Sequence, residues 1–246
     1  MNKIIENIDK KCSEGRRIMG NIVYDLTKNI NKKRKLCKLI KLADRYACLL
    51  DFYYETNDID YYKDAKKQKK ALYRRLDAAI KTDLTNLEKE LLPYFNYEQD
   101  LRRKIQTQNP ITEKEIKNYI LKKSSDSFYY MRILQAFIPK DNNLVKAYHY
   151  RIALYDILDD LRDFEEDFKQ KMPNILYLYL YNQNPNVPSS RLNAFIVAKN
   201  SGIDRRIIKF ACELRRSSDK LNPVKYPLLN KSVERNYQKI VKLFTQ

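Results

Sequence analysis

Seven carboxylates and a single arginine stand in the twelve residues from Asp156 to Asp167, in a chain whose formal net charge is +18. At about 100° per residue in a helix, Asp156, Asp159, Asp160, Asp163 and Asp167 share one stripe, while Ile157, Leu158, Leu161, Phe164 and Phe168 take the neighbouring arc. Like charges one turn apart cost an isolated helix about 0.2–0.5 kcal/mol per pair. Asp159, Asp163 and Asp167 stack three in a row, so the stripe calls for a cation. Hard divalent ions take carboxylate oxygens, and Mg2+ shares its remaining positions with water and substrate phosphate, so the spacing suits a Mg2+–diphosphate site. A solvated amphipathic face is the plainer reading, but in so basic a chain lysines would be expected among the acids.

Other chemistry is poorly supplied. Gly15, Gly20 and Gly202 are the only glycines, too few and too scattered for a glycine-rich phosphate loop, which removes P-loop and dinucleotide-binding enzymes. Cys12, Cys37, Cys48 and Cys212 show no CxxC pairing and His149 is the only histidine, so zinc sites and Ser-His or Cys-His catalysis lack support. The thiols are expected reduced and mostly buried. The start of the chain is charged, so no secretory signal is expected there, and no run reaches the roughly 20 apolar residues of a membrane span; the expected location is cytoplasmic.

The elements that must position the stripe read as helices, in one all-α domain over residues 1–246. The acidic helix is expected from Asn142 or Asn143 to about Lys171, with Pro173 as its stop. Upstream, helices are expected at Ser13–Ile30 and Lys33–Thr56, the second carrying Asp51 and Glu55 one turn apart. A long Lys/Arg-rich helix (Lys66, Lys67, Lys69, Lys70, Arg74, Arg75) is expected from Asp58 to Leu92, ended by Pro93, and a shorter one at Tyr97–Gln106. Thr112 and Glu115 form a capping box for the next helix. Ser127–Phe137 reads as a buried helix whose Arg132 needs an anionic partner, in the acidic stripe or in a ligand phosphate. Asn174–Tyr181 is apolar enough to be a buried strand or a wholly buried helix; helix suits the context. Further helices are expected at Ser189–Lys199, Ile203–Ser217 and Ser232–Phe244.

Asp159-Asp160-Leu161-Arg162-Asp163-Phe164-Glu165-Glu166-Asp167 resembles the second aspartate-rich motif of class I isoprenoid synthases, and the segment from Asn174 is similar to the one after that motif in squalene/phytoene-type enzymes. Asp51-Phe52-Tyr53-Tyr54-Glu55 stands where their first motif would be, although Phe52 replaces its second aspartate. The resemblance implies an antiparallel helical bundle around a central apolar cavity. Asp159, Asp163 and Asp167 would be catalytic, and Asp51, Glu55, Asp159, Asp160, Asp163 and Asp167 would hold Mg2+. Arg132, Arg235 and Tyr237 would contact diphosphate. The implied activity is ionisation of an allylic prenyl diphosphate with diphosphate release, by cyclisation or condensation, as a lyase or transferase. That reading needs no specific nucleic acid and allows transient membrane-surface contact through a basic face. Two alternatives stand beside it: a catalytically degenerate isoprenoid-synthase-like partner protein, and a basic helical nucleic-acid-binding protein.

Overall fold

A computed structural model describes the backbone of residues 2–221 and 225–245, with their side chains except those of Asn2, Glu55 and residues 91–96. The described residues form twelve α-helices and no strand: α1 (Asn2–Lys11), α2 (Ser13–Thr27), α3 (Ile30–Thr56), α4 (Ile59–Tyr73), α5 (Ala78–Gln106), α6 (Glu113–Lys123), α7 (Asp126–Gln135), α8 (Asn142–Gln170), α9 (Ile175–Gln183), α10 (Arg191–Ser201), α11 (Ile203–Leu221) and α12 (Pro227–Thr245). They group into two compact units, one of Met1–Glu90 with Phe128–Asp141, the other of Leu91–Ser127 with Asn142–Gln246.

In the first unit α3 is the organising helix, packed by α1, α2 and α4. Ile18, Met19, Ile22 and Val23 of α2 are buried, as are Leu36, Leu39, Ile40 and Ala43 of α3. Their spacing of three and four puts each set on one helix face. Gly20 permits the close approach: a Cβ there would stand 2.7 Å from Cys37 Sγ of α3. Asn29 starts α3 by accepting the N–H groups of Asn31 and Lys32, and Asn57 ends it in the left-handed conformation.

The expected helix from Asp58 to Leu92 is two helices. The Asp77 carboxylate accepts the Ile80 N–H and starts α5 after a turn, a local capping bond that outcompetes helix continuation. Pro93 does not end α5, whose backbone stays helical to Gln106, so the separate Tyr97–Gln106 helix is its last part. Proline removes one hydrogen bond, and a 29-residue helix retains the rest.

In the second unit α8 is central, packed by α6, α9, α11 and α12. Leu144, Ala147, Tyr148, Leu154, Ile157, Leu158, Leu161 and Phe164 are its buried face; full burial of such side chains contributes about 1.5–3 kcal/mol each. α9 is helical and buried almost all round, through Ile175, Leu176, Leu178, Tyr179, Leu180 and Tyr181. α11 buries Ile203, Ile207, Phe210, Ala211 and Leu214 on one stripe. No helix among the described residues is long and apolar enough to cross a membrane.

Candidate functional site

The acidic stripe of α8 is divided by burial. Asp160 is 1% exposed, Asp156, Asp159 and Asp167 are half-buried, and Asp163 is exposed. Asp160 sits where three helices meet. Its Oδ1 receives the Lys123 ammonium from the end of α6 at 2.6 Å, and its Oδ2 accepts the Ile175 N–H at the start of α9 at 2.8 Å. Asn174 locks the same corner. It caps α9 by accepting from Leu176 and Tyr177, while its amide donates to the Asp160 carbonyl at 2.5 Å and to Asp167 Oδ2 at 2.7 Å. The Tyr119 hydroxyl closes the turn by donating to the Pro173 carbonyl at 2.7 Å.

One turn earlier on α8, Asp156 Oδ2 accepts the Ser124 hydroxyl at 2.5 Å. His149 Nδ1 lies 3.0 Å from Ser127 Oγ and 3.2 Å from the Ser124 carbonyl. The two serines therefore tie the α6–α7 corner to α8.

Burial shapes the titration of these groups. It pushes Asp156 up to about 6 against the pull of Lys123 and the Ser124 hydroxyl. It does the same to Asp167, to about 6, against the Asn174 bond and with help from the Asp160 charge. Asp160 is also raised by burial, opposed by Lys123 and the Ile175 N–H. Burial works against the Lys123 ammonium, yet the Asp160 charge outweighs it and holds the lysine well above its ordinary range. Burial lowers the His149 pKa, against the hydrogen bond to the Ser124 carbonyl.

The cation that the stripe requires is thus supplied, at Asp160, by a side chain 37 residues earlier. Mg2+ needs open carboxylate oxygens, whereas both Asp160 oxygens and one each of Asp156 and Asp167 are committed to protein donors. Asp160 therefore has no open oxygen for Mg2+, while at Asp156 and Asp167 one oxygen each is bound. Among the described residues no three His, Cys, Asp or Glu side chains gather in a metal-holding arrangement.

The remaining expected site residues fall in several places. Asp51 is exposed on α3, in the first unit; the Glu55 side chain lies outside the described residues. Arg132 is not the buried arginine expected: its side chain is 40% exposed and pairs with Asp83 at 3.6 Å. The buried arginine is Arg151 of α8, which donates to Ser232 Oγ at 3.0 Å and lies 5.5 Å from the Tyr148 ring. Arg235 is half-buried on α12. Tyr237 carries the Arg215 guanidinium 4.8 Å above its ring. All four cysteines are free and only half-buried.

A second constellation emerges on α3. A groove of about 600 Å³ is lined by Lys35, Lys38, Leu39, Lys41, Leu42 and Arg45, with Arg75 from the turn after α4. From Lys28 to Lys41 the chain has seven basic residues and no acid, a run that sequence reasoning passes over for the more obvious lysines of α4. Asp9 of α1 anchors one end, accepting Arg45 through both oxygens at 3.0 and 2.6 Å and Lys41 at 2.8 Å. Burial opposes the Asp9 charge, but these two cations hold its pKa below the ordinary carboxylate value. Lys35, Lys38 and Arg75 are exposed, and among the described residues no carboxylate pairs with Lys38 or Arg75.

Arg16 of α2 reaches Asp44, the neighbour of Arg45 on α3, at 2.5 Å and also donates to the Asp9 carbonyl. Asp44 is nonetheless pushed up to about 7 by burial. The acids near the groove are therefore either paired or partly neutral, and the outward charge is positive.

Compared with known protein families, with curated proteins and with solved structures, the chain matches none.

Proposed function

We propose that this protein binds nucleic acid through the basic groove of α3. One observation carries the reading: five cationic side chains, Lys35, Lys38, Lys41, Arg45 and Arg75, line a single concave surface. Lys35 and Arg45 are ten residues apart on α3, which is about 15 Å of helix, and a linear array of that length suits a chain of phosphates. Cations lined up beside phosphates gain affinity by releasing condensed counterions, so binding falls steeply with salt. Leu39 and Leu42 give the groove an apolar floor. An anionic bilayer presents a plane, which a concave groove meets poorly, so nucleic acid is favoured over a membrane surface.

The test is fluorescence anisotropy of labelled 20-nucleotide RNA and DNA, beside co-sedimentation with phosphatidylserine vesicles. Binding to the nucleic acids that weakens about a hundredfold between 50 and 200 mM salt, with little vesicle binding, supports the reading. Vesicle binding alone contradicts it.

A second reading is favoured by the Lys123–Asp160 pair, which sets a protein cation inside the run that resembles an aspartate-rich motif. It is a catalytically degenerate isoprenoid-synthase-like protein. Incubation with farnesyl or geranylgeranyl diphosphate and Mg2+ separates the cases: this reading expects no diphosphate release. Release that is lost in Asp159→Ala and Asp163→Ala would instead favour an active class I synthase.

A further inference from the structure

The α3–α4 pair carries aromatic rings as well as cations. Tyr53 lies eighteen residues beyond Lys35 on α3. At 3.6 residues per turn that is five whole turns, so the two share one line along the helix, about 27 Å apart. Two more rings gather at Tyr53: Tyr54 with centroids 5.4 Å apart, and Tyr62 of α4 at 4.9 Å. The Lys66 ammonium sits 4.2 Å from the Tyr62 ring centre.

Tyr53 and Tyr62 are half-buried in this cluster. The aromatic rings packed against Ile8, Leu49 and Ala65 are those of Tyr46, Phe52 and Tyr61. Tyr54, about 100° round α3 from the line that Lys35 and Tyr53 share, is 44% exposed. Aromatic faces placed along a cationic track are what single-stranded nucleic acid requires, because unpaired bases stack on them whatever their sequence. A duplex keeps its bases stacked inside and offers only phosphates.

We infer that the ligand of the α3 groove is single-stranded nucleic acid, its phosphates along Lys35–Arg45 and its bases on the Tyr53–Tyr54–Tyr62 cluster. The inference rests on the groove reading above and adds the choice between one strand and two. Binding of a labelled 20-nucleotide oligo(dT) is compared with a duplex carrying the same number of phosphates, for the full chain and for Tyr54→Leu and Tyr54→Phe. The single strand is expected to bind at least about tenfold tighter, and Tyr54→Leu to lose about tenfold on the single strand with duplex binding unchanged. Tyr54→Phe, which keeps the ring, retains the preference. Unfolding curves matching the unsubstituted protein show that both variants are folded, and Tyr53→Phe/Tyr54→Phe serves as a second ring-preserving control. Equal affinity for the two ligands, or an unaffected Tyr54→Leu, overturns the stacking cluster while salt-sensitive binding leaves the groove standing. Binding to neither ligand overturns both.

Discussion

The Lys123 ammonium stands 2.6 Å from Asp160, an aspartate only 1% exposed, and the other oxygen of that carboxylate caps the first turn of α9. One buried charge thereby joins α6, α8 and α9. The helix N-terminus adds a favourable dipole to the ion pair, and the repulsion along the acidic stripe is met at this point from inside the protein.

Lys123→Met is expected to destabilise the fold by about 3 kcal/mol, the low end for removing one partner of a buried pair. The low end applies because the lysine side chain is 34% exposed. Adding Asp160→Leu should recover much of the loss, since the orphaned charge is then gone. Urea unfolding of the single and double variants measures both; an additive double variant would mean that the pair is not coupled.

Asn174 offers a sharper chemical test. Asn and Asp are equally good N-caps in general, but here the Asn amide also donates to the Asp160 carbonyl and to Asp167. Asn174→Asp keeps the cap, loses both donors and adds a charge beside Asp167. It is expected to cost at least about 2 kcal/mol at pH 7 and to be worse than Asn174→Ser. Equal unfolding midpoints for the two variants would show that the cap alone matters.

Asp156 and Asp167 titrate at about 6 in the folded chain, against about 3.9 when unfolded. Between about pH 4 and 6 the fold holds protons that the unfolded chain has released. Their contribution is complete below about pH 4 and is lost as pH rises through about 6, by up to about 1.4 kcal/mol per pH unit for each group. His149, lowered by burial, acts in the opposite direction in part of this range, so the comparison is with Asp156→Asn/Asp167→Asn. The stability of that variant relative to the unsubstituted protein should increase from pH 4 to 7. A constant difference would remove burial as the cause.

Local signals were legible in the residues themselves. The acidic helix runs Asn142–Gln170 against an expectation of about 142–171, because its apolar stripe repeats at helical spacing and Pro173 comes soon after. Thr112 and Glu115 form the capping box that their spacing announces. The stripe itself was visible, but its partner was not: Lys123 is remote in sequence, and nothing local distinguishes it from the chain's other basic residues. Arg151 is buried and Arg132 is not for the same reason, since burial of a charged side chain depends on which helices pack around it. The α4–α5 turn was hidden by continuous helix-forming residues, with Asp77 the one capping signal. The groove cations lie on α3 and in the turn after α4, and the packing of α4 on α3 brings Arg75 into the same groove as Lys38.

The salt dependence of single-strand binding, measured for the unsubstituted chain and for Lys35→Glu/Lys38→Glu/Arg75→Glu, addresses the groove most directly. All three positions are exposed, so the variant should fold normally. The expected result is a linear fall of log affinity with log salt whose slope shrinks by about 2 in the variant, at about 0.7 for each phosphate of a single strand that is no longer neutralised. An unchanged slope and affinity in the variant would contradict the account.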